Sequence, residues 1–189
     1  RLIFSFFLAA FLAIACQSTK TVKTDLTSQT LTNIDFADWI VVSELESQVL
    51  LYLDQEPLKL GSTGSAILEK DPSNLIGRLA LSKFYSSLGT IETGTYFTES
   101  YEESLKVISE SGKGSSEKPW VVSSNQAAEL FLKDTGISRV GAVYQSNLQQ
   151  KLGLMIIGLE GENTQPKEYY FDLSHLLNSA NAYLSADKT

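Results

Sequence analysis

The sequence predicts an α+β chain that is helical first and mixed afterwards. Three observations carry this. Apolar residues recur at three- and four-residue intervals between Ile34 and Glu110, the period of amphipathic helices. A polar, Gly-rich stretch from Ser111 to Pro119 then breaks the pattern. Beyond it, short β-prone runs alternate with Gly, Asn and Pro, and a helical pattern closes the chain. The architecture expected is therefore N-terminal helical hairpins followed by a small antiparallel sheet with one or two packed helices.

Composition narrows the function classes. The chain has 189 residues, 43% hydrophobic and 20% charged, enough for one domain or two small ones with a core. Its 15 basic and 22 acidic side chains give a net charge of −7, which argues against a nucleic-acid partner. A single Cys rules out an internal disulfide or a Cys-based zinc cluster, and a single His rules out a two-histidine site. No cofactor and no metal site are expected.

The strongest local signal comes at the start. Arg1 precedes fourteen residues, Leu2–Ala15, that carry one hydroxyl and no charge, and Cys16 follows. A spanning helix needs about 20 apolar residues, and a run of about 10–14 fits the h-region of a signal peptide. The absence of an initiator Met points to residues missing before Arg1. Ala13-Ile14-Ala15-Cys16 resembles a bacterial lipobox, although Leu is usual where Ala13 stands. The resemblance implies cleavage after Ala15 and lipid attachment at Cys16, because a thiolate is the side-chain nucleophile suited to forming a thioether. An ordinary signal peptidase cutting at Ala13-x-Ala15, or an uncleaved anchor, are the alternatives. Each buried methylene contributes about 0.8 kcal/mol, so two or three chains hold a protein on a membrane. Gln17 follows the Cys where Asp would imply inner-membrane retention. The periplasmic face of an outer membrane is therefore favoured, if the cell has one. Processing removes Arg1 and no acidic residue, so the body becomes more acidic and is repelled by anionic lipid. Residues 17–33 are Thr-rich and poor in aliphatics, and read as a flexible tether reaching about 20–25 Å.

The helical region is assigned to residues 34–110. Trp39, Val42, Leu45, Val49 and Leu53 favour a helix, although Trp39–Val42 and Val49–Leu53 are also β-prone. Pro57 opens a second helix with Leu58, Gly61, Gly64 or Ser65, and Leu68 on one face. Its glycines, which cost about 1 kcal/mol each, are tolerable if a neighbouring helix packs very close. Asp71-Pro72-Ser73-Asn74 ends this element and starts the next. Leu75–Gly89 places Leu75, Leu79, Ser82 and Tyr85 together. Thr90–Glu110 carries a stripe of Gly94, Phe97, Tyr101, Leu105 and Ile108, with Glu99, Glu102, Glu103 and Lys106 outside.

The hairpin from Leu75 to Ile108 spans 34 residues and resembles a tetratricopeptide (TPR) unit. Leu81, Ser82, Tyr85 and Gly89 fall on its Leu, small, aromatic and turn-Gly positions, and Pro72 on the preceding closing Pro. Gly94 replaces the small Ala, and Thr98 and Tyr101 fit poorly. Val41–Asn74 would be a preceding repeat that matches only at its end. Short arrays need another element to cover them.

Residues 111–118 read as a flexible connector, and residues 119–185 as the small α+β region. Trp120-Val121-Val122 is its first β-prone run. A helix follows from Gln126 to Thr135, capped by Ser124 or Asn125 and stopped by Gly136. Val140–Tyr144, Leu152–Leu159 and Tyr169–Leu173 are the other strands, and Ser174 caps a last helix through Leu184. The order of Asp71–Asn74, the hairpin, Ser111-Gly112-x-Gly114-x-Ser116, Tyr144-Gln145 and Tyr170-Phe171-Asp172-Leu173-Ser174 also resembles a family of uncharacterised exported bacterial proteins, known only as a domain of unknown function. That family implies architecture and no mechanism. Its glycine pair usually encloses Asp, where this chain has Lys113.

Few residues invite chemistry. Gly112-Lys113-Gly114-Ser115 has the glycines of a phosphate loop but not its Gly-x-x-x-x-Gly-Lys spacing or its strand–helix setting. Asp172, Ser174 and His175 evoke a hydrolase, but adjacency is not convergence. Glu99, Glu102, Glu103 and Glu110 read as a solvated face. Trp39, Trp120, Tyr169 and Tyr170 read as core or, if exposed together, as a ligand platform. The chain is thus expected to be a membrane-anchored extracytoplasmic lipoprotein, a non-enzymatic interaction module for a protein or peptide. An envelope-associated hydrolase is the alternative. An apolar groove would favour the first, and a pocket joining His175 to a carboxylate and a hydroxyl the second.

Overall fold

The computed structural model describes residues 34–147, 151–161 and 164–186. The apolar leader, Cys16 and the Thr-rich segment lie outside them. The fold of the described residues is α+β: six α-helices and one four-stranded sheet.

Asp35 accepts a hydrogen bond from the Ala37 N–H and starts α1 (Phe36–Tyr52). Helix, not strand, is the outcome here. Val42 and Val49 are buried, yet Ile40, Val41, Leu50 and Leu51 are exposed, so apolar residues lie on both faces. Pro57 opens a single 3-10 turn, Pro57–Lys59, which runs into α2 (Leu60–Lys70). The buried face of α2 is Leu60, Gly61, Gly64 and Ile67 rather than the line through Leu58, which is 67% exposed. The glycines turn that face toward α3 (Leu75–Ser87). A Cβ on Gly64 would lie 2.9 Å from Ala80 Cβ and 3.1 Å from the Gly77 carbonyl, and one on Gly61 would meet the Phe84 ring at 2.7 Å. Close helix approach therefore offsets their helix cost.

Asn74 caps α3 by accepting from the N–H groups of Ile76 and Gly77, both at 3.0 Å. Every residue from Leu75 to Ser82 is buried, so α3 is the central helix. Gly89, at φ +71°, turns the chain into α4 (Ile91–Ser111). α1 with α2, and α3 with α4, make two consecutive hairpins whose inner helices α2 and α3 also pack together.

The Gly-rich connector is not a free linker. Lys113 N–H donates to the Lys118 carbonyl at 2.8 Å, and the Gly114 carbonyl accepts from Tyr170 N–H at 3.0 Å. A Cβ on Gly112 would lie 2.1 Å from the Pro119 carbonyl oxygen. The glycines here permit close approach, not looseness.

Next come β1 (Trp120–Val121), α5 (Asn125–Asp134), β2 (Ile137–Asn147), β3 (Lys151–Glu160), β4 (Lys167–Asp172) and α6 (Ser174–Ala186). The sheet order is β1-β4-β3-β2. β2, β3 and β4 are antiparallel, but β1 runs parallel to β4, so the sheet is mixed and not antiparallel as expected. No hairpin joins β1 to β4; α5 and two strands intervene, which frees β1 from the antiparallel direction. Leu154, Ile156, Tyr169 and Phe171 are buried on one sheet face. They join Val49, Ile67, Ile76, Phe131 and Leu132 in a single core that spans the helical and mixed regions. Each of the larger side chains contributes about 1.5–3 kcal/mol by burial. Among the described residues no helix is long and apolar enough to cross a membrane.

Candidate functional site

A cleft of about 430 Å³ lies where α1, α5 and α6 meet the β2–β3 hairpin. Phe36, Trp39, Tyr144, Leu152, Leu173, Leu176 and Leu177 give it apolar and aromatic walls. Ser43, Asn125 and Gln126 supply its polar groups, and among the described residues no charged side chain lines it. Phe36 and Trp39 stack with ring centroids 5.6 Å apart, one turn apart on α1. Gln126 is fixed by donating to Ser47 Oγ at 3.1 Å, which ties α5 to α1. On the other wall, Ser179 donates to the Ile34 carbonyl at 3.0 Å and holds α6 against the start of α1. Two buried polar atoms at this corner, Trp39 Nε1 and Gln126 Oε1, have no hydrogen-bond partner among the described residues. Such a cleft, apolar with a few fixed polar groups, suits a small apolar molecule or an apolar segment of a partner.

A second polar centre lies beneath α1. Glu46 is fully buried, on the stripe between Val42 and Val49. Its Oε1 accepts from the Asn74 amide at 2.8 Å, and its Oε2 has no partner within hydrogen-bond distance among the described residues. Burial raises its pKa to about 7; the Asn74 amide and the nearby Ser124 hydroxyl pull it down, and the Asp71 carboxylate pushes it up. Asp71 braces its own turn, accepting from Ser73 N–H at 3.1 Å and from the Asn74 amide at 3.2 Å. Arg78, also buried, donates to the Ser100 carbonyl at 3.2 Å, to Ser104 Oγ and to the Pro72 carbonyl at 3.0 Å. These groups link α1, α3, α4 and the Asp71–Asn74 turn. Their chemistry is cohesion: each is held by backbone or by a neighbour, and none lines the cleft. Glu46 and Arg78 were missed in the sequence. The signal for Glu46 was present, a carboxylate at a core position of the Val42–Val49 stripe.

The residues singled out in the sequence scatter. Asp172 Oδ1 accepts from Ser174 N–H at 2.7 Å, so Asp172, not Ser174, caps α6. Ser174 Oγ instead accepts from Leu152 N–H at 3.2 Å and pins the start of α6 to β3. His175 is half-buried, and burial lowers its pKa against the opposing pull of a hydrogen bond to the Ser123 backbone and of the Asp172 and Asp71 carboxylates. A cavity of about 360 Å³ is lined by Asp172, Ser174, Lys151, Gln145, Tyr170 and Glu117, but not by His175. Asp172 and Ser174 therefore brace the β4–α6 corner, and His175 does not share their cavity. Glu99, Glu102 and Glu110 are exposed on α4, and Glu103 is half-buried. Among the described residues no group of acidic, His and Cys side chains could hold a metal ion.

The aromatic residues separate. Trp120 is half-buried and packs against the core at Phe131, with centroids 4.9 Å apart, and stacks on Tyr169 at 6.3 Å. Tyr170 faces the 360 Å³ cavity. Trp39 alone of the four lines the apolar cleft. The family models, the curated proteins and the solved structures contain no match to this chain.

Proposed function

We propose that the protein is a non-enzymatic interaction module held at the extracytoplasmic face of a bacterial membrane by lipidated Cys16. The observation that carries the interaction role is the cleft of Phe36, Trp39, Tyr144, Leu176 and Leu177, which receives an apolar segment of a partner protein or peptide. The anchoring rests on the apolar run Leu2–Ala15 ending at Ala13-x-Ala15-Cys16, and Gln17 favours the periplasmic face of an outer membrane where one exists. The two hairpins read as a TPR-like pair. The 34-residue span from Leu75 to Ile108 and the Gly61–Phe84 and Gly64–Ala80 contacts support that reading. The sheet region then supplies the cover that a short array needs.

Two arms test the proposal in whole envelopes. Cys16→Ser is expected to release the processed protein from the membrane, and complete membrane retention after processing contradicts the anchor. A photoreactive residue in place of Leu177 is expected to capture one defined polypeptide. The adduct should vanish when Ala180→Phe fills the cleft, and should not form from Glu102 on the far helix. Equal capture from both positions contradicts the docking role.

A further inference from the structure

The sheet ends on β2, and that edge has no neighbouring strand among the described residues. β2 is eleven residues long and contains no proline. Between Arg139 and Lys151 the sequence carries no charged side chain, and Arg139 is itself engaged by Glu129 of α5. Val140, Val143 and Tyr144 are 60%, 49% and 59% exposed along it. Proteins that stay apart blunt such an edge with lysines, prolines, short strands or bulges. The bulge here lies between Arg139 and Gly141, and from Gly141 onward the register with β3 is regular. Among the described residues, no strand pairs with the outer row of backbone donors and acceptors along that stretch.

We propose that β2 pairs with β2 of a second copy, antiparallel, about a two-fold axis at Val143. Two four-stranded sheets then join into one continuous sheet. An axis normal to the sheet keeps opposed residues on the same face only if it passes through a residue position, because side chains alternate. Placing it at Val143 confines the pairing to the regular stretch beyond the bulge. Val143 then meets its own copy on the outer face. Ala142 lies opposite Tyr144, a small side chain against a large one, and Gly141 lies opposite Gln145. No like charges face each other, which is the condition that cross-strand pairs impose. Electrostatics favours the same contact. The chain carries a net charge of −7, so two copies repel over most of their surfaces, and the uncharged edge is where approach costs least. A foreign extended peptide would satisfy the same backbone groups, but nothing in the strand selects it, whereas the strand matches itself. The pairing depends neither on the anchor nor on what the cleft binds, although Tyr144 borders both surfaces.

The test uses the full chain. In detergent, sedimentation of the unaltered protein is expected to show a dimer that grows with concentration. Val143→Lys sets two like charges across the axis and is expected to abolish the dimer with an unchanged circular dichroism spectrum, while Val143→Thr keeps it. Independently, single cysteines at Ser138, Ala142, Val143 and Tyr144 are oxidised in membranes. Opposed strand positions lie within disulfide reach only at the axis. The covalent dimer is therefore expected to peak at Val143→Cys and to fall to the background of the parent chain, whose one cysteine is Cys16, at Ser138→Cys. A dimer that survives Val143→Lys, a monomer at every concentration, a flat cysteine profile, or cross-linking of Val143→Cys to a different polypeptide each overturns the proposal.

Discussion

The helical region and the sheet region handle their polar and apolar surfaces differently. Around α3, buried charge is enclosed: Arg78 reaches the Ser100 and Pro72 carbonyls, Asp71 braces its turn, and Asn74 joins the α3 cap to Glu46. Glycines let α2 and α3 pack without a gap. The sheet region has a finished core face at Leu154, Ile156 and Phe171. Among the described residues, it leaves an edge strand without a neighbouring strand and an apolar cleft between β2–β3 and α6. The helical region is thus built for cohesion, and the surfaces available for recognition lie where the sheet meets α1 and α6. Substitutions in the two regions should differ in kind, costing stability in the first and association in the second.

The largest stability effect is expected from Arg78→Ala. It strips two carbonyls and a hydroxyl of a buried donor and leaves Asp71 short of positive charge, so urea unfolding should show a loss of about 3–5 kcal/mol. A loss below about 1 kcal/mol would place cohesion of the hairpins elsewhere.

Glu46 comes next, and its effect depends on pH. The folded protein holds the Glu46 proton up to about pH 7, whereas the unfolded chain releases it near 4.5. Stability from this group is therefore highest below 4.5, falls as pH rises between these values, and stays lower above 7. Glu46→Gln keeps an acceptor for Asn74 without the charge, so at pH 8 it should be more stable than the parent by about 3 kcal/mol, converging at low pH. His175 acts with the opposite sign. Its folded pKa lies below 6.5, so the unfolded chain binds the proton first and stability falls as pH drops through 6.5. Replacing His175 with Gln should steepen the decline that Glu46 causes. Urea midpoints of the parent and both variants across this range check all three statements.

Gly64→Ala should cost about 1–3 kcal/mol, because its Cβ would crowd Ala80 and the Gly77 carbonyl. Gly136→Ala meets no atom within 4 Å, and its φ of +80° leaves only the left-handed penalty, about 1 kcal/mol. The smallest effect is expected on the open edge, where Val143→Thr should change stability by no more than about 0.5 kcal/mol. A larger loss there would show that the β2 edge is part of the cohesive core.

The sequence made most elements legible because their punctuation is chemical. Asn74, Ser124, Gly89 and Gly136 mark helix ends by capping and positive φ, and the structure uses all four. α1 was ambiguous because Leu50 and Leu51 face outward while Glu46 faces inward, which blurs the apolar stripe. The face of α2 was misplaced because glycine carries no hydrophobic signal, although Gly61 and Gly64 make its tightest contacts. The direction of β1 was beyond reach, since it pairs with a strand about fifty residues later and local periodicity does not encode that pairing. Of the cleft, Trp39 could be picked out as a candidate. Its convergence with Tyr144 and Leu177 is a property of the tertiary fold, not of any motif.

The docking role of the cleft between α1 and α6 is read out by titration with the fluorescent amphipathic anion 1-anilinonaphthalene-8-sulfonate, because Trp39 lines the cleft while Trp120 packs away from it against Phe131, Tyr169 and Phe171. Saturable binding of one dye per chain is expected, with quenching of Trp39 emission that Trp39→Phe removes and Ala180→Phe blocks. Unsaturable binding, or full binding in the folded Ala180→Phe protein, would rule the cleft out as a docking site.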